Sequence, residues 1–184
     1  MEAFSDGVIA IIITIMVLEL RPPHETSLAG LRPLLPVMGS YVMSFIFLGI
    51  YWSNHHHLLH AAEHVDGRAL WANLHLLFWL SLIPFVTAWM GENNFSQWPV
   101  ALYGVVLLMS AIAYTILVFA LLATPGNTVL ASALGSDFKG KISMVIYAVA
   151  IPLAFIKPGV ACLIYISVAL MWLIPDRRIE RQIT

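Results

Sequence analysis

The sequence predicts an all-α protein that crosses a membrane several times, and three observations predict it. Hydrophobic residues make up 60% of the 184 positions and charged residues only 10%, against about 25% charged in soluble domains. The mean hydropathy is +0.88. A core of this size cannot hide so much apolar surface from water, so lipid must serve as solvent. The apolar residues also fall into six runs near the length of a spanning helix, about 20 residues, separated by proline, glycine and polar clusters.

The first run extends from about Phe4 to Leu20 and is closed by Pro22-Pro23, which cannot continue a helix. The second extends from about Leu34 to Trp52, with a continuation open as far as His60. The third covers about Ala69 to Met90 and is broken late by Pro84. The fourth covers about Pro99 to Ala123, ended by Thr124-Pro125-Gly126-Asn127. The fifth runs from about Ile142 to Ile156 with Pro152 inside it; Ser136 to Lys141 reads either as a polar loop or as its first turn. Lys157-Pro158-Gly159 is a tight turn, and the sixth run follows from about Val160 to Ile174. The last two are short for a bilayer. With no internal repeat or low-complexity linker, residues 1–184 read as a single six-helix domain.

Six spans put both termini on one side. That side receives Arg68, Lys139, Lys141, Arg177, Arg178 and Arg181; the other receives Arg21, Arg32 and Lys157. The excess places both termini in the cytoplasm. Trp89, Trp98 and Trp172 stand where an aromatic belt is expected. The net charge of -1 gives no hint of a nucleic-acid partner. The single Cys162 excludes an intrachain disulfide and any multi-cysteine metal site. No basic segment and cleavage site mark the start as a removable signal.

Few residues carry chemistry. Asp6 stands at the mouth of the first helix, and a carboxylate beside a membrane span needs a partner or a water path. On a helical wheel Gly7, Ile11, Thr14 and Leu18 share one stripe, and Asp6 lies about 140° from Ile11. Around a symmetry axis Ile11 and Leu18 would form apolar constrictions and Thr14 a ring of hydroxyls between them. The same residues fit an ordinary lipid- or core-facing helix, with Thr14 bonding back to a carbonyl one turn earlier. His56 with His60, and His60 with His64, have metal- or haem-binding spacing. HExxH and the Glu-x-x-His pairs of di-iron bundles are absent, so no resident metal is expected. Asn73 needs an interhelical partner and falls in one membrane layer with Ser5, Asp6 and His55. His55 and Asn73 are the leading partners for Asp6.

Phe4-Ser5-Asp6 opening the first helix, Trp52 with Asn54-His55-His56 ending the second, and Asn73-Leu74 with Ser81 to Phe85 in the third together resemble the endolysosomal potassium channel family of animals, and more closely its shorter bacterial members. The resemblance implies a homotetramer of six-helix subunits, without the usual potassium-channel filter, lined by the first helix. It implies pore-facing roles for Ile11, Thr14 and Leu18, with Ile15 as the alternative to Thr14 or Leu18 if the phase shifts by one residue. It implies a network of Trp52, His55 and Asn73 around the Phe4-Ser5-Asp6 motif. In the family an arginine stands four residues before the phenylalanine. Here that position precedes Met1: either the true start lies upstream or this member lacks the arginine, and the charged partner the resemblance implies for Asp6 stays open.

The sequence holds no TVGYG-like filter, no arginine-rich voltage sensor and no GxxxxGK[ST] motif. The expectation is therefore a potassium-selective leak channel and not an enzyme. It carries no cofactor beyond the permeant potassium ion, and its partners are further copies of itself and the lipid bilayer of the cell membrane. Two alternatives stay open: a proton-coupled secondary transporter using Asp6 and the histidines, and a membrane metalloenzyme or haem protein built on the histidine cluster.

Overall fold

The computed structural model describes residues 1–128, 130 and 138–173, and among these residues all regular structure is helical. Helix α1 spans Glu2–Leu18, and a 3-10 helix, Leu28–Leu34, lies in the loop after it. Then follow α2 (Leu35–His60), α3 (Gly67–Ser81), α4 (Ile83–Glu92), α5 (Gln97–Ala123), α6 (Phe138–Ala154) and α7 (Pro158–Leu173). Each expected run is present, with shifted bounds. The second continues to His60, and the fifth starts at Phe138, so Lys139 and Lys141 belong to its first turn. Ser136, Asp137, Ile174, Arg177, Arg178 and Arg181 lie outside the described residues. The 3-10 helix falls in a stretch the sequence reads as a loop.

Local chemistry accounts for the boundaries. The Asp66 side chain accepts from Ala69 N at 2.9 Å and caps α3. Pro84 lacks the N–H an unbroken helix needs, and the third run divides at Leu82 into α3 and α4. Gly126 adopts φ +99° just after α5, a conformation side-chain-bearing residues rarely take.

Among the described residues, three segments are long and apolar enough to cross a membrane: Leu28–His60, Gly67–Glu92 and Gln97–Ala123. Helices α1 and α6 have 17 residues each and α7 has 16. At about 1.5 Å per residue these are a few ångströms short of a ~30 Å hydrocarbon core.

Helix α5 is the centre of the bundle, packed against α3, α4, α6 and α7, while α1 sits at one side against α2, α3 and α4. Two glycines permit close crossings. A Cβ on Gly91 would collide with the Val37 backbone of α2, and one on Gly104 with the Tyr165 ring of α7. In lipid no hydrophobic force drives helices together, so such backbone approach and interhelical hydrogen bonds carry the association. One polar layer joins α2, α4 and α5: Ser44 Oγ lies 2.7 Å from Thr87 Oγ1 and 3.0 Å from Tyr103 Oη.

Contacts between helix ends fix the up-and-down order. The start of α1 meets the end of α2 and the start of α3. At this same end Asn127 clamps two loops together. Its Oδ1 accepts from His64 N at 2.8 Å, and its Nδ2 donates to His64 O at 2.9 Å and Leu121 O at 2.8 Å. At the opposite end Gln97 Nε2 donates to Phe155 O at 2.7 Å.

Candidate functional site

Helix α1 has two opposed faces. Ser5, Ile9, Ile12 and Met16 are buried against α2, α3 and α4. By helical arithmetic the stripe Gly7, Ile11, Thr14 and Leu18 points about 160° away from them. That stripe is uncovered: Ile11 is 58% exposed and Leu18 76%, and Gly7 and Thr14 are also exposed. Ile15 is 44% exposed. With Ile11 it lines a groove between α1 and α4 whose walls include Pro84, Phe85 and Trp89 and whose end is bounded by Glu19 and Glu92. The Thr14 hydroxyl donates back to its own helix, to Ile11 O at 2.9 Å and Ala10 O at 3.1 Å. With its hydrogen so engaged, Oγ1 presents lone pairs to whatever lies over the stripe.

Three consecutive motif residues point in three directions because each helical step turns about 100°. Phe4 is on the outer surface, 59% exposed. Ser5 points inward and is fully buried. Asp6 lies on the flank toward α2, where Trp52 Nε1 donates to its Oδ1 at 3.0 Å. The carboxylate therefore pairs with Trp52 of α2; of the expected partners, Asn73 bonds Ser5 instead and His55 bonds Asn73.

Those three buried side chains form a chain of hydrogen bonds across three helices. His55 Nε2 lies 2.7 Å from Asn73 Oδ1, and Asn73 Nδ2 donates to Ser5 Oγ at 2.9 Å. Ser5 Oγ in turn donates to Met1 O at 3.2 Å. Because the Asn73 oxygen can only accept, His55 Nε2 carries the proton in this arrangement. His55 Nδ1 is then a buried acceptor with no hydrogen-bond partner. Trp52, half exposed, stacks on the His56 ring with centroids 5.9 Å apart.

Sequence reasoning missed two features here. Glu2, one turn before Asp6, places Oε1 2.9 Å from His56 Nδ1. The spacing of Glu2 and Asp6 put both acids on one flank and was a readable signal; the approach of His56 was not. Of the two histidine pairs, His56–His60 stays together and His60–His64 separates. His60 stacks on His56 with centroids 6.1 Å apart, while the His64 ring covers Gly126 in the Asn127 clamp.

A bundle of apolar helices, with a polar motif tied at one end and an uncovered helix face beside it, defines a helical membrane protein whose first helix leaves one face exposed along its length. Residues 1–84 match the family model of the endosomal/lysosomal potassium channel TMEM175, and that stretch contains Ile11, Thr14 and Leu18 as well as Phe4, Ser5, Asp6, Trp52, His55 and Asn73. A potassium channel of Chryseobacterium sp. (strain P1-3) is 54% identical over 184 residues, all of this chain and 96% of that protein. A potassium channel of Streptomyces collinus (strain DSM 40733 / Tue 365) is 35% identical over 121 residues, 61% of this chain and 59% of the relative. The crystal structure of a lysosomal potassium-selective channel TMEM175 homolog from Chamaesiphon minutus superimposes with a TM-score of 0.81 at 27% identity, covering 94% of both chains. The chain belongs to the TMEM175 potassium channel family, a family of channels and not of enzymes.

Proposed function

We propose that this chain forms a homotetrameric, potassium-selective leak channel whose pore is lined by α1 around a four-fold axis. The observation that carries the reading is the division of α1 into a packed face and an opposite, uncovered face bearing Ile11, Thr14 and Leu18. One subunit offers only one copy of that weakly polar stripe, which cannot surround an ion. Cyclic symmetry turns each residue into a ring. Ile11 and Leu18 then form narrow apolar rings that gate by dewetting, and the Thr14 oxygens between them replace part of the cation's hydration shell.

Phe4, Ser5, Asp6, Trp52, His55 and Asn73 hold the pore helix to α2 and α3 in this reading. Each subunit contributes six spans, α3 and α4 together making one. The termini lie on the cytoplasmic side of a cell membrane. Among the described residues the cations divide evenly, Arg68, Lys139 and Lys141 against Arg21, Arg32 and Lys157. The orientation therefore leans on Arg177, Arg178 and Arg181 of the sequence. The relatives named as potassium channels support the choice of ion. They also weigh against a proton-coupled transporter.

The decisive experiment measures reversal potentials of the purified protein in planar bilayers under potassium, sodium and proton gradients. Ohmic current reversing near the potassium potential is expected. Saturable exchange without ohmic current overturns the channel reading.

A further inference from the structure

A second constellation lies beside the Ser5–Asn73–His55 chain and takes no part in it. Glu2 and Asp6 are one turn apart on α1, so both carboxylates project from the same flank. His56 comes from the last part of α2. One ligand atom from each of Glu2, Asp6 and His56 lies within 4.8 Å of the others. His56 Nδ1 lies 2.9 Å from Glu2 Oε1, yet this solvent-shielded nitrogen has no hydrogen-bond partner. The contact is one of distance, without the alignment a hydrogen bond needs.

The donors are held in place from outside. The Trp52 indole donates to Asp6 Oδ1 and also stacks on the His56 ring, 5.9 Å away at 25°. His60 stacks on the same imidazole at 6.1 Å and 15°. One indole thus orients two of the three donors, the arrangement by which outer groups commonly fix metal ligands.

We propose that Glu2, Asp6 and His56 bind a first-row transition-metal ion such as Zn2+, bridging α1 to the end of α2. An imidazole nitrogen with two carboxylates suits Zn2+ or Co2+, whereas Ca2+ and Mg2+ take oxygen ligands. Ligand atoms at about 2.1 Å from a tetrahedral ion stand roughly 3.4 Å apart. The cluster therefore contracts modestly on binding. The Glu2 and His56 side chains, 41% and 42% exposed, have the freedom to do so. Three protein donors leave the fourth position to a water molecule. The ion competes with a proton on His56, since coordination requires the Nδ1 lone pair. Binding stands on this geometry alone. Its effect on current rests on the pore reading: an ion tying α1 to α2 restrains the pore-lining helix, so conduction falls.

The test titrates Zn2+ into the purified full-length protein by calorimetry and follows Co2+ by its visible absorption. One ion per chain is expected. Glu2→Gln and His56→Gln should each weaken binding about ten-fold or more, since even loss of an outer-shell partner commonly costs that much. His57→Gln, an exposed neighbour outside the cluster, should leave affinity unchanged. No binding, unchanged affinity in Glu2→Gln or His56→Gln, or an equal loss in His57→Gln overturns the site. If a variant fails to fold, the unaltered chain decides: Zn2+ should protect His56, and not His57, from diethyl pyrocarbonate, and equal labelling of both with and without Zn2+ overturns the site. Intact Zn2+ binding in a protein that carries no current defeats the channel reading and leaves the site standing.

Discussion

Asn73 Nδ2 donates to Ser5 Oγ at 2.9 Å, joining residues 68 positions apart in the chain. The same amide meets His55 Nε2 through its oxygen at 2.7 Å, so one side chain of α3 holds both α1 and α2. All three groups are buried, and none has water as an alternative partner. Asn73→Leu removes both hydrogen bonds, strands His55 Nε2 and leaves Ser5 only its bond to Met1 O. A buried polar group left unpaired costs about 1–3 kcal/mol. The melting temperature of purified Asn73→Leu should fall clearly, with Ser5→Ala losing less because it strands only the amide. Equal stability of all three proteins excludes this chain of bonds.

Asp6 is expected to couple to Trp52. A double-mutant cycle of Asp6→Ala and Trp52→Phe should give an interaction energy of about 0.5–3 kcal/mol, as residues in direct contact do. The cycle of Asp6→Ala with Asn73→Leu should come out smaller, because the structure shows no bond between those side chains. The reverse order of couplings would return the carboxylate to the partners the sequence favoured.

Cysteine accessibility should follow the two faces of α1. Gly7→Cys, Ile11→Cys, Thr14→Cys and Leu18→Cys should react with a water-borne thiol reagent. Ile9→Cys, Ile12→Cys and Met16→Cys, on the packed face, should not. A reagent pattern carried by another helix removes α1 from the pore.

Ile11→Asn should wet the narrow ring and raise current, with weaker discrimination against sodium. Thr14→Val keeps the side-chain shape and removes one hydroxyl from each subunit. The reversal potential under opposed potassium and sodium gradients should then move toward the sodium value while assembly stays intact. An unchanged reversal potential takes the filter role away from Thr14.

The proposed assembly has an uncovered surface to use. In a single subunit Phe4, Ile11, Leu18, Trp71 and Phe85 are uncovered, and α1 sits at the edge of the bundle. Native mass spectrometry should show a tetramer. A monomer that still conducts in bilayers rules out the shared axis.

The sequence by itself determined the helical membrane class, the helical runs and the residues worth watching. It could do so because those properties are local. Apolar run length and proline breaks set the helices, and 100° steps set the angles between Phe4, Ser5 and Asp6, though not that Ser5 is the one turned inward. The family resemblance was equally legible, being carried by short motifs on three helices. Pairing was not local. Whether Asp6 meets Trp52 or His55 depends on the depth and rotation at which α2 packs on α1, and no spacing within one helix encodes that. The same holds for Glu2 with His56, for Asn127 holding His64, and for Ser44 between Thr87 and Tyr103. Periodicity alone favoured an ordinary lipid- or core-facing surface for the stripe Gly7, Ile11, Thr14 and Leu18. Only the tertiary structure decided that it is left uncovered, because only packing shows which face of α1 the other helices bury.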